Sequence, residues 1–394
     1  MKLKRLVVDG VLERLMPMRG LESYMTFCAT RVVRIRKPFI IGVTGSVGKS
    51  TTTAMIEAVL SRPEVEQIVG RCGCTVGNMN DDVGVPATLL RFDRVFDSGS
   101  LPWGYVGRLA MLVETTLRTL KALTWSYPRV MVLECGAGWT GHLQRVGAIT
   151  RPSVCVVTTI GAAHLERLRT LEGVAHEKGE LVRAVPPSGL VVLGQDHEYV
   201  SVLERMASAP VVRVSGEGLE LSTNIARAVC RHLGVPAEIT DAALRDFKRL
   251  SGRLNLLKLP SMTIIDDTYN ANPLSMKLGL DTLAATAASG RRLAVLGAMG
   301  ELGEEAARYH EEVGAYARSR VDVLIGVGDL ARHYSPDHWF DTSDACAERI
   351  GGLVREGDYL LVKGSASARM KQIVEKLGSR PGKAETCGGN AGAV

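Results

Sequence analysis

Residues 38–60 read PFIIGVTGSVGKSTTTAMIEAVL, and the other functional predictions for the chain depend on this segment. The apolar run at its start predicts a buried strand, and the apolar residues at its end predict a helix. The loop between them is rich in glycine, so its backbone N–H groups can close around a phosphate at the positive end of the helix. Lys49 is then expected on the terminal phosphates, and the hydroxyl of Ser50 or Thr51 on Mg²⁺. The predicted nucleoside triphosphate site comprises Gly45, Ser46, Gly48, Lys49, Ser50 and Thr51.

The composition is that of an ordinary globular protein. At 394 residues the chain predicts two or three domains, and 46% hydrophobic and 23% charged residues allow an ample core. The eight cysteines are scattered, which argues against a disulfide framework or a zinc site and favours reduced thiols in the cytoplasm. No apolar stretch is long enough to span a bilayer. No nucleic-acid partner is expected.

The net charge of +6 is concentrated at the N-terminus, because residues 1–37 hold nine basic and three acidic residues. Apolar residues recur there at helical spacing, which predicts a basic amphipathic helix. Such a helix can bind an acidic protein or lie on an anionic membrane surface, which would make the protein peripheral to the membrane. The favoured alternative is a helix packed on the main domain. The apolar positions are Leu3, Leu6, Val7, Val11, Leu12 and Leu15.

Further apolar runs follow the glycine-rich loop. Residues 129–138 predict a strand ending at Glu134, and residues 153–166 predict one ending near His164. Strands that alternate with helices indicate a parallel sheet, whose ligands bind at the carboxyl ends of the strands. We therefore expect Gly45, Glu134 and His164 to converge. Lys178, on the next predicted helix, is a further candidate.

A second strand–turn–helix series begins near residue 250 and predicts a smaller Rossmann-like domain with parallel strands. Asp266 and Asp267 end its first predicted strand, and their spacing suits either a metal site or the capping of the following turn. The resulting domain prediction is an N-terminal extension (1–37), an ATP-binding central domain (38–250), a Rossmann-like domain (251–378) and a disordered tail (379–394).

Several motifs together resemble the ATP-dependent Mur ligases, and within them the branch that adds a dipeptide to a muramyl peptide. The resemblance covers roughly residues 39–195 and 250–378, in order. It accounts for Val43, which stands where the strict P-loop pattern has glycine, because Mur ligases use Gly-x-x-Gly-x-x-Gly-Lys. The matching segments are GVTGSVGKSTT, TVGNMNDDVGVPATLL, LECGAG, TTIGAAHLERLRTLEGVAHEKGEL, IIDDTYNANPLSMKLGLDTLA, LGAMGELGEEAARYHEEVG and LVKGSASARM.

The resemblance implies that ATP phosphorylates a substrate carboxylate and that an amine then attacks the acyl phosphate. It implies one Mg²⁺ on Ser50 or Thr51 and Glu134, and a second near His164 and Lys178. In the family the lysine matching Lys178 is carbamylated by CO₂, and an unmodified lysine is the alternative here. The resemblance also implies that Asn224 contacts adenine, Arg253 a phosphate group and Asp267 the ribose. It adds Tyr269 and Asn272 to the nucleotide site and places them in the turn between the domains.

The chain also departs from the family. Only about 38 residues precede the first predicted strand, where family members carry a UDP-sugar domain. The segment between Asp196 and Asn224 is shortened, and Ala298 replaces the usual aspartate. We therefore expect a carboxylate other than a UDP-muramyl peptide, either free, presented by a partner protein or held at the N-terminal helix.

Three functions follow from this reading. The first is an amide ligase that joins a small-molecule carboxylate to an amino acid or dipeptide. The second is a ligase that extends a γ-linked poly-amino acid. The third is a non-catalytic nucleotide-binding subunit, which the presence of Lys49, Glu134, His164 and Lys178 disfavours.

Overall fold

A computed structural model describes residues 18–92, 105–195, 197–286 and 290–379. The chain packs into two compact units. The first combines the described residues up to Ile160 with Glu172–Phe247, and the second combines Gly161–Leu171 with the described residues from Lys248 onward. No helix in these described ranges is both long and apolar enough to cross a membrane.

The first unit is built on a six-stranded parallel sheet with the order β2-β3-β1-β4-β5-β6. Its central strands are near-continuous runs of buried apolar residues, as strands covered on both faces require. The register pairs Val43 with Glu134, so the carboxyl end of β3 lies beside the start of the glycine-rich loop. The strands are β1 Phe39–Thr44, β2 Cys72–Cys74, β3 Val130–Glu134, β4 Val154–Val157, β5 Leu190–Gly194 and β6 Val211–Val214.

Helices cover both faces of this sheet. On one face Met55 and Ile56, from the helix that follows the loop, pack on Val43, Val132 and Val156. With helices numbered along the whole chain, those of the first unit are α1 Met18–Arg36, α2 Lys49–Leu60, α3 Pro63–Val69, α4 Gly84–Leu89, α5 Tyr105–Thr124, α6 His142–Thr150, α8 Leu171–Arg183, α9 Val200–Met206, α10 Gly218–His232 and α11 Ala237–Arg245.

The described part of the N-terminal extension is helix α1, which packs on the first unit against α5 and α4. Its apolar side, with Leu21, Met25 and Val32, is buried. The apolar positions of the predicted amphipathic helix, from Leu3 to Leu15, lie outside the described residues, as do residues 380–394 of the predicted disordered tail.

The second unit contains another six-stranded sheet, with the order β11-β10-β9-β12-β8-β7. The strands predicted from the sequence, β8, β9, β10 and β12, are parallel as expected. The sequence reading missed the edge strands β11, which is also parallel, and β7, which pairs antiparallel with β8. Two residues separate β7 from β8, and a connection that short can only join antiparallel neighbours. The elements are α7 Leu165–Leu168, β7 Asn255–Leu259, β8 Met262–Asp267, α12 Pro273–Thr286, β9 Arg292–Gly297, α13 Ala306–Arg318, β10 Val323–Val327, β11 His338–Phe340, α14 Ser343–Arg349, β12 Asp358–Lys363 and α15 Lys371–Gly378.

The strand predicted over residues 153–166 is much shorter in the structure, because β4 ends at Val157. Beyond Val157 the backbone forms a hydrogen bond with the glycine-rich loop, because the carbonyl of Thr159 accepts from the Ser46 N–H at 2.8 Å. The chain then leaves the sheet, and His164 stands at the start of α7 in the second unit. His164 therefore does not end a strand of the first sheet.

Candidate active site

The glycine-rich loop has a backbone that only glycine adopts easily. Gly45 has φ of 142°, and a Cβ placed there would lie 1.9 Å from the Thr158 Oγ1 atom. Gly48, with φ of 88°, is the N-cap residue immediately before helix α2. The ammonium group of Lys49 donates to the Gly45 carbonyl at 2.8 Å, so it reaches back over the loop. The loop thus combines a helix N-terminus, a glycine-rich backbone and a lysine, which suits a bound polyphosphate.

Ser50 and Glu134 meet at the end of the sheet. The Ser50 hydroxyl donates a short hydrogen bond to Glu134 Oε2, and both side chains are buried. The register of β1 and β3 creates this contact, because it sets Glu134 opposite the residue that leads into the loop. A hydroxyl and a carboxylate are the hard oxygen ligands that Mg²⁺ prefers.

Asn80 is a member of this cluster that the sequence reading missed. Its side-chain amide donates to Glu134 Oε1 at 2.7 Å, while its backbone carbonyl accepts from Gly136 N–H at 2.8 Å. The signal available in the sequence was the polar, glycine-rich character of residues 73–90. In the structure that stretch contains part of β2 and helix α4 as well as the loop that carries Asn80.

Lys178 is fully buried on α8, and within the described part of the chain its Nζ atom has no hydrogen-bond partner. Burial lowers the pKa of this lysine well below its ordinary value, and the positive charge of nearby Lys49 lowers the pKa further, against an opposing contribution from Glu177. Because its pKa is lowered, this buried amine gives up its proton, and becomes nucleophilic, more readily than an exposed lysine does. This environment therefore favours a chemical role for Lys178.

The neighbouring Glu177 organises the loop after β3. Its carboxylate accepts from the backbone N–H groups of Gly141 and Leu143, each at 2.6 Å, at the start of α6. His142, the first residue of α6, accepts from Gly138 N–H at 3.0 Å and stacks on Trp139. These contacts fix the chain immediately beyond Glu134.

Asn224, the predicted adenine contact, lies on α10 of the first unit. Its amide donates to the Ser215 carbonyl just beyond β6, and its side-chain oxygen accepts from Arg227, each at 3.1 Å. Asn224 is thus held beside the carboxyl end of the sheet's edge strand.

The other predicted site residues belong to the second unit. His164 contacts Glu301 there, with 2.5 Å between Nδ1 and Oε2, and both residues have left-handed backbone conformations. Asp267 forms an ion pair with buried Lys363 at 2.6 Å and accepts from the Leu254 N–H. The guanidinium of Arg253 stacks over the ring of Tyr269 at 3.9 Å.

The polar turn after β8 bears on whether Asp266 belongs to a metal site or caps the turn, the two alternatives that the sequence left open. Asp266 accepts from the N–H groups of Gly252 and Thr268 and from the Thr268 hydroxyl, as a capping residue does. Asn272 accepts from the Ser275 N–H at the start of α12. Among the described residues, no group of three or more His, Cys, Asp or Glu side chains is arranged to hold a metal ion. Turn capping therefore accounts for Asp266.

The first unit is a parallel α/β sheet with a glycine-rich loop at its carboxyl end. A buried acid, Glu134, lies beside the serine of that loop. These features define a P-loop enzyme that uses a nucleoside triphosphate with a divalent metal ion.

Comparison with known proteins identifies the family. The Mur ligase middle domain matches residues 43–98 and 113–246, and the glutamate ligase domain of Mur ligases matches residues 252–366. The chain is 28% identical to the UDP-N-acetylmuramoyl-tripeptide–D-alanyl-D-alanine ligase of Escherichia coli (strain K12), over 86% of this chain and 76% of that protein. This chain belongs to the Mur ligase family. It is an ATP-dependent, ADP-forming ligase that joins a carboxylate to an amine, as the sequence predicted.

Solved structures agree with this fold. MurF ligase from Thermotoga maritima in complex with ADP superposes with a TM-score of 0.72 at 22% identity, covering 91% of this chain and 83% of that one. The bifunctional folylpolyglutamate synthase/dihydrofolate synthase from Yersinia pestis, complexed with AMPPNP and a Mn ion, gives a TM-score of 0.61 at 16% identity, covering 89% and 92%. At these identities the likeness concerns the fold alone, and it confirms the predicted fold class.

Proposed function

We propose that this ligase transfers the γ-phosphoryl group of ATP to a substrate carboxylate and that an amine then displaces phosphate to form an amide. The contact between Ser50 and Glu134 beside Lys49 carries this proposal. Phosphoryl transfer to a carboxylate brings two anions together, so positive charge must be concentrated where they meet. Lys49 supplies a fixed cation at that place.

The divalent ion of such a reaction suits the oxygen donors present in the first unit. Ser50, Thr51 and Glu134 are its proposed ligands, and Asn80 orients the carboxylate by occupying Oε1. When bound, the ion neutralises phosphate charge and polarises the P–O bonds. A second ion with His164 as a ligand stays a prediction.

Lys178 is proposed to be carbamylated. Its neutral amine attacks CO₂, the new N–C bond gives a carbamate anion, and one proton is released. The carbamate then offers anionic oxygen atoms as metal ligands, at a place where the unmodified side chain has only a buried nitrogen. Two observations support this reaction: Nζ has no hydrogen-bond partner among the residues that the structure describes, and the pKa of Lys178 is lowered.

The carbamate can be tested without relying on activity alone. Protein equilibrated with ¹³C-bicarbonate should show a carbamate carbon signal that is absent from Lys178→Ala. That variant should lose at least about a hundredfold in turnover, and short carboxylic acids should restore part of it. A Lys178→Ala protein with the signal or with full activity would contradict the assignment. Lys121→Ala, which changes an exposed lysine, serves as the control.

For the substrates we propose a dipeptide or amino acid as the amine and a peptide carboxylate as the acid. The relative named above acts, by its name, on UDP-N-acetylmuramoyl-tripeptide and D-alanyl-D-alanine, so these are the first pair to supply. The expectation of an acid other than a UDP-muramyl peptide has no support in the comparisons, and it stays a prediction for the same assay to test.

The assay measures ADP release with ATP, Mg²⁺ and a panel of acids and amines, followed by mass spectrometry of the product. A single added amino acid or dipeptide supports the proposal, and a ladder of products identifies a poly-amino-acid ligase instead. ADP release that is the same with and without acid and amine would contradict both. Glu134→Gln should abolish the coupled reaction, whereas Glu180→Gln, in a partly exposed position on α8, should not.

A further inference from the structure

Helix α5 carries a row of exposed aliphatic side chains that stay uncovered by the residues the structure describes. Leu109, Val113, Leu117 and Leu120 are 46%, 52%, 61% and 54% exposed. Their spacing sets them along one face over roughly 16 Å of helix. We call this row the α5 stripe. Trp125, which follows the helix, is also exposed.

The opposite face of α5 already contributes to the core. Met111, Thr115 and Ala122 are buried, and α5 packs on α1. The helix is therefore apolar on two sides, whereas a helix at the surface of a water-soluble unit normally has one apolar face. A continuous exposed apolar patch of this kind marks an interaction site.

The exposed charged side chains on the described parts of α1 and α5 have one sign. Among the described side chains of α1 and α5, no exposed residue is acidic, whereas Arg31, Arg34 and Lys121 are exposed and basic. Glu114, the one acid in the α5 sequence, is bound to Arg118. Lys121 lies over the ring of Trp125 at 5.3 Å. The stripe therefore ends in an aromatic ring with a cation beside it.

We propose that the α5 stripe binds the surface of a bilayer containing anionic lipid. The aliphatic side chains enter the boundary between headgroups and acyl chains, Trp125 lies at headgroup level, and the basic side chains contact lipid phosphates. Charge disfavours a second copy as the occupant, because pairing two stripes would bring the basic residues of both copies together. Phe27 and Ile35 of α1 are also exposed, but they are eight residues apart, whereas the four aliphatic side chains of the α5 stripe form a continuous row.

Co-sedimentation of the full chain with lipid vesicles tests the proposal. We expect binding to vesicles of phosphatidylcholine mixed with phosphatidylglycerol, weaker binding as salt is raised, and little binding to pure phosphatidylcholine. Leu117→Glu should lower the affinity for the mixed vesicles about tenfold or more. Ile68→Glu, which changes an exposed apolar residue on α3, is the matched control and should bind like the wild type.

Failure of the wild type to bind mixed vesicles, or equal binding by Leu117→Glu, would overturn the proposal. So would a wild-type dimer that Leu117→Glu dissociates, because the stripe would then belong to a second copy. Circular dichroism and ATP binding establish that the variants fold. Lys121→Glu provides a second route, since it leaves the aliphatic row intact and should still weaken binding to anionic vesicles.

Discussion

At the scale of single residues, the glycine-rich loop shows why particular residue types are required. Gly45 combines a left-handed φ with close contact to Thr158, so neither the backbone nor the space admits a side chain. Lys49 and Ser50 could be singled out from the sequence because they directly follow the glycine-rich loop, and Glu134 because it ends a predicted strand. Asn80 could not, because its contact with Glu134 depends on how a long loop folds back.

Gly45→Ala should lower kcat/KM for ATP by about a hundredfold or more, because the Thr158 contact forces the loop out of its phosphate-binding shape. Steady-state kinetics measures this. Gly234→Ala is the control: its φ is also positive, at 74°, but a Cβ there meets nothing within 4 Å. It should cost about 1 kcal/mol of stability and leave kinetics unchanged. Equal activity losses in both variants would contradict the argument.

Because Lys178 is buried with a lowered pKa, we expect the stability of the fold to depend on pH through this residue. The unfolded chain protonates this lysine below its ordinary pKa, whereas the folded chain does so only below a much lower pKa. Between these values the unfolded state binds more protons, so the lysine destabilises the fold increasingly as the pH falls through this window. In CO₂-free buffer, Lys178→Met should therefore unfold at higher urea than the wild type at neutral pH, and the gain should shrink towards alkaline pH.

Urea unfolding curves across that pH range measure the effect. Lys121→Met, at an exposed lysine of α5, should show no comparable change with pH. A Lys178→Met variant that is less stable than the wild type at neutral pH would contradict a lowered pKa for the buried lysine.

At the scale of elements, the long apolar runs were predictable and the short edge strands were not. β1 and β3 have five buried residues each, whereas β2 and β11 have three residues in all and depend on a neighbour for their hydrogen bonds. Local sequence carries little signal for such strands, since pairing partners create them. The start of α6 is similar: its cap, Glu177, comes from another helix.

Glu177→Ala should destabilise the first unit by about 2 kcal/mol or more, because two backbone N–H groups at the start of α6 lose a buried carboxylate acceptor. Urea unfolding measures the loss. Glu180→Ala, one turn further along α8, removes a carboxylate paired with largely exposed Arg183 and should cost well under 1 kcal/mol. Similar losses in both would show that Glu177 does not support the loop.

At the scale of the whole molecule, the sequence predicted two α/β sheets and the ligase family, and both are confirmed. It did not predict that residues 161–171 pack with the second unit, and with them His164. The order of the motifs can be read from the sequence. Which unit a segment belongs to cannot, because that depends on packing between residues far apart in the chain. His164 was expected at a strand end for that reason, and it lies instead in a connecting segment.

The central claim is that ATP activates a carboxylate before the amine attacks. A substrate acid labelled with ¹⁸O in its carboxylate, incubated with ATP, Mg²⁺ and the amine, tests it most directly. Formation and displacement of an acyl phosphate must move one labelled oxygen into the released phosphate, which mass spectrometry detects. We predict one ¹⁸O atom in phosphate for each amide formed. Amide formation with unlabelled phosphate would contradict the account.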